Sequence, residues 1–189
     1  MTIEQYKELI KSRQNEKRFY HSLCVADEAK RLAVKYGADP DKMYLAGLLH
    51  DITKNTDLQE QLKLIENGGI MLTDIEKKAI GTLHSISGYV YLRDVLKITD
   101  TDILSAVRYH TTGKENMTLS EKIVFIADLT SAERDYPDVE IVRTMVDKNF
   151  DEAILYVLKF TLNKLVNKGL PIHHDTLKAY NFMVVNNKL

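Results

Sequence analysis

Apolar residues recur along the chain at spacings of three and four, the period of a helix with one buried face. Thr2 with Gln5 forms a capping box that opens a short first helix. The stripe Leu23, Ala26, Ala29, Leu32 and Ala33 predicts a second helix from about Arg18 to Tyr36, stopped by Gly37. Asp39-Pro40 reads as an N-cap followed by a first-turn proline, and starts a third helix through Met43, Leu45, Ala46 and Leu49 to His50. Further helices are predicted from about Leu58 to Glu66, from Asp74 to Ile80 behind a Thr73/Glu76 capping box, from Leu83 to Leu96, and from Thr101 to Tyr109. Thr118 and Glu121 open another, through Ile123 and Ile126 to Ala127. After the turn-like Asp135-Tyr136-Pro137-Asp138, helices follow from about Val139 and from Asp151 to about Lys168, the latter ended by Gly169 and Pro171. A last one begins after Asp175 or Thr176. Strand alternation is almost absent. The expectation is an all-α chain of roughly eight to ten helices.

Composition agrees. Only 8 glycines and 3 prolines interrupt 189 residues, so few tight turns are available. A chain of that length buries roughly 70% of its unfolded surface and needs no staples. Cys24 stands alone, which excludes an internal disulfide and fits a reducing cytoplasm. The opening MTIEQYKELIKS is charged and amphipathic, with no signal-peptide core. No apolar run approaches the roughly 20 residues that cross a bilayer. The net charge of −1 gives no bulk attraction to nucleic acid or acidic lipid, so neither is expected as a partner.

The chemistry concentrates in histidines and aspartates at helix ends. His21 lies early in the second helix, and His50-Asp51 closes the third. His84 follows Gly81-Thr82-Leu83, and His110 leads into Thr111-Thr112-Gly113. Asp128 ends an apolar run, Ile123 to Ala127, where a carboxylate is costly unless a cation or hydrogen bonds compensate it. Each residue alone is unremarkable; as a set of imidazoles and carboxylates they suit Fe, Mn, Co, Ni or Zn, with no thiolate in the set. Adjacent helical residues diverge by about 100°. Asp51 therefore points away from His50 and can serve two ions, one through each oxygen. One ion would take His21, His50, Asp51 and Asp128; the other would take Asp51, His84 and His110.

The series His21, His50-Asp51, Asp128 resembles the signature of HD-domain metal-dependent phosphohydrolases. His84 and His110 look like the second metal site found in part of that superfamily. The resemblance is closer to the bacterial YqeK-type branch, symmetrical diadenosine tetraphosphate hydrolases. It rests on Arg18-Phe19-Tyr20-His21-Ser22, Leu48 to Lys54, Tyr109 to Gly113, Ile126-Ala127-Asp128 followed by Arg134, and the late Thr176-Leu177-Lys178-Ala179-Tyr180-Asn181. It implies a single HD domain over residues 1–189, with a metal-binding core at about 18–134 and C-terminal helices 139–189 packed on it. It also implies a dinuclear centre, iron first, and hydrolysis of nucleoside polyphosphates to an ADP- or GDP-like product. Two departures narrow the field. The Glu-Asp pair of guanosine-tetraphosphate hydrolases is replaced by Lys54-Asn55 nearby. The Gly-Tyr-Pro of cyclic-dinucleotide phosphodiesterases appears as Gly88-Tyr89-Val90.

Cleaving a phosphoanhydride requires a nucleophile and neutralised phosphate charge, which a dinuclear centre supplies as an activated hydroxide. Asp51, Lys54, His84 and His110 are the expected catalytic group. Lys54, one turn past Asp51, reaches the same mouth. Arg18, Thr111, Thr112 and Arg134 are expected phosphate contacts, Arg134 by a bidentate grip, with an ion pair to Glu133 or Asp135 as its alternative. His173, in the loop after Pro171, is expected to cap a helix or lie at the surface, with closure over a nucleobase as the alternative. A 5′-nucleotidase, a deoxynucleoside triphosphate hydrolase, a di-iron oxygenase and a nucleotide sensor remain alternatives, and a homodimer stands beside a monomer.

Overall fold

The computed structural model describes residues 1–186 and contains eleven α-helices, with no strand among the described residues. The last three positions of the expected domain, 187–189, lie outside them. The helices are α1 (Ile3–Arg13), α2 (Glu16–Tyr36), α3 (Pro40–Leu49), α4 (Leu58–Asn67), α5 (Asp74–Lys78), α6 (Leu83–Val90), α7 (Thr101–Tyr109), α8 (Leu119–Thr130), α9 (Val139–Lys148), α10 (Phe150–Asn167) and α11 (His174–Asn186). The all-α class is as expected, and the count exceeds eight to ten. Asn149 ends α9 and caps the start of α10 at one residue, which keeps the two expected helices apart.

The punctuation works as the sequence implies. Capping boxes close on Thr2/Gln5, Thr73/Glu76 and Thr118/Glu121. Asp39 caps α3 ahead of Pro40, and Gly37 ends α2 with φ of 81°. The stretch expected as one helix from Leu83 to Leu96 instead breaks into α6 and a wider π turn over Tyr91–Val95. Two side chains of that turn are tied to neighbours: Tyr91 lies under the Arg13 guanidinium, and Arg93 donates to the Gly68 carbonyl.

Helix α2 packs along α3 and α8, while α7 packs against α3, α6 and α8. These five helices surround a core that includes Leu32, Leu48, Leu49, Ile123 and Ile126, all fully buried. Each such side chain contributes roughly 1.5–3 kcal/mol on leaving water. Gly47 sets the closest approach. A Cβ there would sit 2.9 Å from both Ala26 Cα and the Val25 carbonyl oxygen, so only glycine lets α3 lie against the backbone of α2 beside His21. Helices α9 to α11 form a second layer, joined to the first through α8 and α9. None of the described helices is long and apolar enough to cross a membrane.

Candidate metal centre

The ends of α3 and α7 use one device twice. His50 and His110 each follow the last helical residue, and each ring Nδ1 lies on the carbonyl three residues back: Gly47 at 2.6 Å and Val107 at 2.8 Å. A carbonyl has no proton to give, so Nδ1 carries it, and in the neutral ring Nε2 is left as a lone pair. Both helices thereby satisfy a terminal carbonyl and aim an imidazole nitrogen inward. His21, on α2, has its Nδ1 held by the Glu133 carboxylate, which also accepts from the Ser131 hydroxyl at 2.9 Å.

The inward nitrogens converge on Asp51. Its Oδ2 lies 3.3 Å from His50 Nε2 and 3.9 Å from His21 Nε2; its Oδ1 lies 3.1 Å from His84 Nε2 and 3.6 Å from His110 Nε2. Asp128 brings Oδ1 to 3.0 Å from His21 Nε2 and 3.7 Å from His50 Nε2. All six expected ligands therefore meet, in three overlapping groups: His21, His50 and Asp51; His50, His110 and Asp128; and Asp51, His84 and His110, so that Asp51 belongs to two of them. Four histidines and Asp51 are buried; Asp128 is partly exposed.

Electrostatics differ across the centre. Burial pushes the Asp51 carboxyl up, but His50, His110 and His84 outweigh it and hold it well below the usual carboxylate range. Asp128 is likewise held down against its own burial, by His21, His50 and Arg134. Burial pulls the His21 imidazolium down, yet Asp128 and Glu133 raise its pKa above the ordinary value. Glu133 is itself lowered to about 2 by His21 and Ser131, against burial. His84 goes the other way: burial drives it down to about 4, more than Asp51 restores, so its ring is neutral at physiological pH.

The donor set fits transition-metal ions. His50 Nε2 and Asp51 Oδ1 are buried and make no hydrogen bond, a costly arrangement for polar atoms with nothing to bind. His84 Nε2 lies 3.1 Å from both His110 Nε2 and Asp51 Oδ1, so three atoms of the kind that ligate a metal face one another. Imidazole and carboxylate without thiolate suit iron, manganese, cobalt, nickel or zinc.

The expected phosphate contacts divide. Arg18 donates to Asp51 Oδ2 at 2.8 Å, and Lys54 Nζ sits 3.2 Å from His84 Nδ1. Burial, with Arg18 and Arg134 nearby, lowers the Lys54 pKa against the pull of Asp51 and Asp128. The Thr111 hydroxyl lies 3.2 Å from His84 Nε2 and 3.0 Å from His110 Nε2. Arg134 pairs with Asp128 and, at 3.9 Å, with Glu133 rather than Asp135, and its Nη2 comes within 3.5 Å of His21 Nε2. Thr112 is not brought to the mouth. It is buried and its hydroxyl donates to the Gly113 carbonyl at 2.8 Å, because the turn that leaves α7 through Gly113, at φ of 63°, points it inward. His173 is buried rather than on the surface. Its Nδ1 accepts from the Asp175 N–H at the start of α11, and its Nε2, 3.4 Å from Glu76, makes no hydrogen bond.

Four supports were not foreseen. Glu133 orients His21. Gln14 donates to the Asp51 carbonyl at 2.9 Å and accepts from Ser22, tying the Asp51 turn to α2. The Thr53 hydroxyl donates to the His84 carbonyl at 2.8 Å, and Gly47 supplies both the close packing and the acceptor for His50. The adjacency of a carboxylate to Arg134, just past Asp128, was the available signal for Glu133.

Known proteins are similar to this chain over most of its length. The HD domain family model matches residues 18–133. A symmetrical bis(5′-nucleosyl)-tetraphosphatase of Halalkalibacterium halodurans is 39% identical, with 96% of each chain covered. One of Staphylococcus aureus is 34% identical, covering 96% of this chain and 94% of its own. A solved structure from Clostridium acetobutylicum, described as a predicted HD superfamily hydrolase involved in NAD metabolism, is 33% identical, covers 99% of both chains and superposes with a TM-score of 0.96. The chain belongs to the HD domain family, and it is a hydrolase of that family.

Proposed function

We propose that the chain hydrolyses dinucleoside tetraphosphates symmetrically, converting diadenosine tetraphosphate and water into two ADP. The observation that carries this reading is the double use of Asp51, one oxygen toward His50 and His21 and the other toward His84 and His110, in a chain 39% identical to a tetraphosphatase. Two transition-metal ions, iron first, would be held by His21, His50, Asp51 and Asp128 and by Asp51, His84 and His110. Such ions supply charge neutralisation and a nucleophile made from water at neutral pH.

The chain's own residues do the rest. Lys54 and Thr111 face the His84 side and contact phosphate oxygens there; Arg18 and Arg134 do so on the His21 side. Phosphate oxygens return to Lys54 the ammonium stabilisation that burial removes, which ties this side chain to charged substrate. The departing ADP spreads its charge over phosphate oxygens, so the protein needs no strong general acid. One nucleoside sits in a cavity of about 460 Å³ that opens beside Thr111, walled by Ile80, Leu165 and Leu170. His173 lines it, with the unpartnered Nε2 available to a base.

The test is product analysis over a panel of nucleotides that includes NAD, run in heavy-oxygen water. Diadenosine tetraphosphate should give ADP as the sole nucleotide product, with label in one ADP of each pair. AMP plus ATP, or ADP without label, overturns the reading.

A further inference from the structure

We infer that a second cavity, on the His21 side, receives the other nucleoside half, so that a two-ended substrate lies across the centre with one end in each cavity. This rests on the tetraphosphatase reading and gives its substrate a second, separate subsite. The second cavity measures about 430 Å³ and is lined by Lys17, Arg18, Tyr20, Arg134, Asp135 and Tyr136, with His21 and Glu133 at its base. The first measures about 460 Å³. Both are of the size that holds a small organic ligand.

They lie at opposite ends of the ligand row. The first meets the centre through Thr111, whose hydroxyl touches His84 and His110. The second meets it through His21, through Arg18 on Asp51 Oδ2, and through Arg134 on Asp128. A phosphate chain running over the shared Asp51 therefore has a cavity waiting at either end.

The two cavities differ in chemistry. The first is mostly apolar, with threonine hydroxyls, His173 and one cation, Lys78. The second carries three cations, Lys17, Arg18 and Arg134, and two carboxylates, Glu133 and Asp135. Glu133 is committed to His21 and Ser131, whereas Lys17 has no ion-pair partner among the described residues. Two tyrosine rings complete it in a chain without tryptophan. Tyr136 is fixed by its hydroxyl on the Leu129 carbonyl, at 3.0 Å, and by stacking on Phe160. Tyr20 is exposed, three residues along α2 from Lys17. A base stacks on a tyrosine face whatever its identity, and lysine or arginine meets the phosphates beside it. The second subsite should thus tolerate different bases, while the apolar cavity with His173 selects among them.

Lys17 and Tyr20 are exposed and support no core packing, so K17A/Y20A tests the subsite without threatening the fold. The metal-loaded protein is titrated with ADP by calorimetry, and diadenosine tetraphosphate is compared with adenosine 5′-tetraphosphate, which has one nucleoside. Wild type should bind two ADP per chain and the variant one. The preference in kcat/KM for the two-ended compound should fall about tenfold in the variant, with metal content unchanged. One ADP per wild-type chain, or an unaltered preference in the variant, overturns the second subsite. Wild type that binds two ADP but cleaves neither compound refutes the tetraphosphatase reading and leaves the subsite standing.

Discussion

The two halves of the centre are built from the same residue types and behave differently. The His21 half has Asp128 and one oxygen of Asp51, and its charge is balanced from outside by Arg18, Arg134 and Glu133. The His84 half has two imidazoles, the other Asp51 oxygen, and Lys54 against the ring. In the first, carboxylates hold a histidine pKa up; in the second, burial holds one down to about 4. The lesson is that charge, more than ligand number, separates the halves. A carboxylate-rich half with a braced histidine should hold a cation firmly, while a nitrogen-rich half beside a lysine should hold one loosely.

Asp51→Asn attacks what the halves share and should cost most. Turnover should fall on the order of a thousandfold, with both ions weakened. Elemental analysis showing two tightly held ions and normal turnover would mean that one carboxylate does not serve both halves. His84→Ala should leave close to one ion per chain and reduce turnover about a hundredfold; loss of both ions would show that the halves are one unit. Glu133→Ala should weaken the His21-side ion about 10- to 100-fold through loss of ring orientation, and a competing chelator series measures it. The same change should leave the His84-side ion in place. The smallest effect is in protons. His21 keeps its proton to higher pH than an ordinary histidine, so metal must displace it and affinity on that side falls as pH falls through neutrality. His84 is already deprotonated above about 4 and adds no such slope between pH 5 and 8. Calorimetry of the His84→Ala protein in two buffers of different ionisation enthalpy should therefore register proton release, and none would break the contrast.

Much of this was legible in the chain. The three capping boxes and Asp39-Pro40 are local codes, read within four residues, and all stand in the structure. The six candidate ligands could be named because imidazoles and carboxylates gather at helix ends as a set and because that set resembles the HD signature. What escaped depends on helices meeting. Glu133 follows α8 in an irregular stretch, where no periodicity says which way it points. Gly47 reads as a weak spot in a helix until α2 is laid against it. Thr111 and Thr112 are chemically alike, and only the left-handed turn at Gly113 separates the one that faces the histidines from the one that turns inward. His173 looked like a surface loop because its burial is supplied by segments distant in sequence, with Glu76 beside its ring.

The ligands run from residue 21 on α2 to residue 128 on α8, and Gln14 and Arg13 at the end of α1 brace the same turn through the Asp51 and Ile52 carbonyls. An emerging polypeptide cannot assemble this set until α8 has been made, so metal ions held by it would bind late. Bound there, they would act as long-range cross-links between early and late helices, stabilising the native state by an amount that grows with the logarithm of their excess over the dissociation constant. A cell short of the metal would therefore hold a protein that is both idle and shorter-lived.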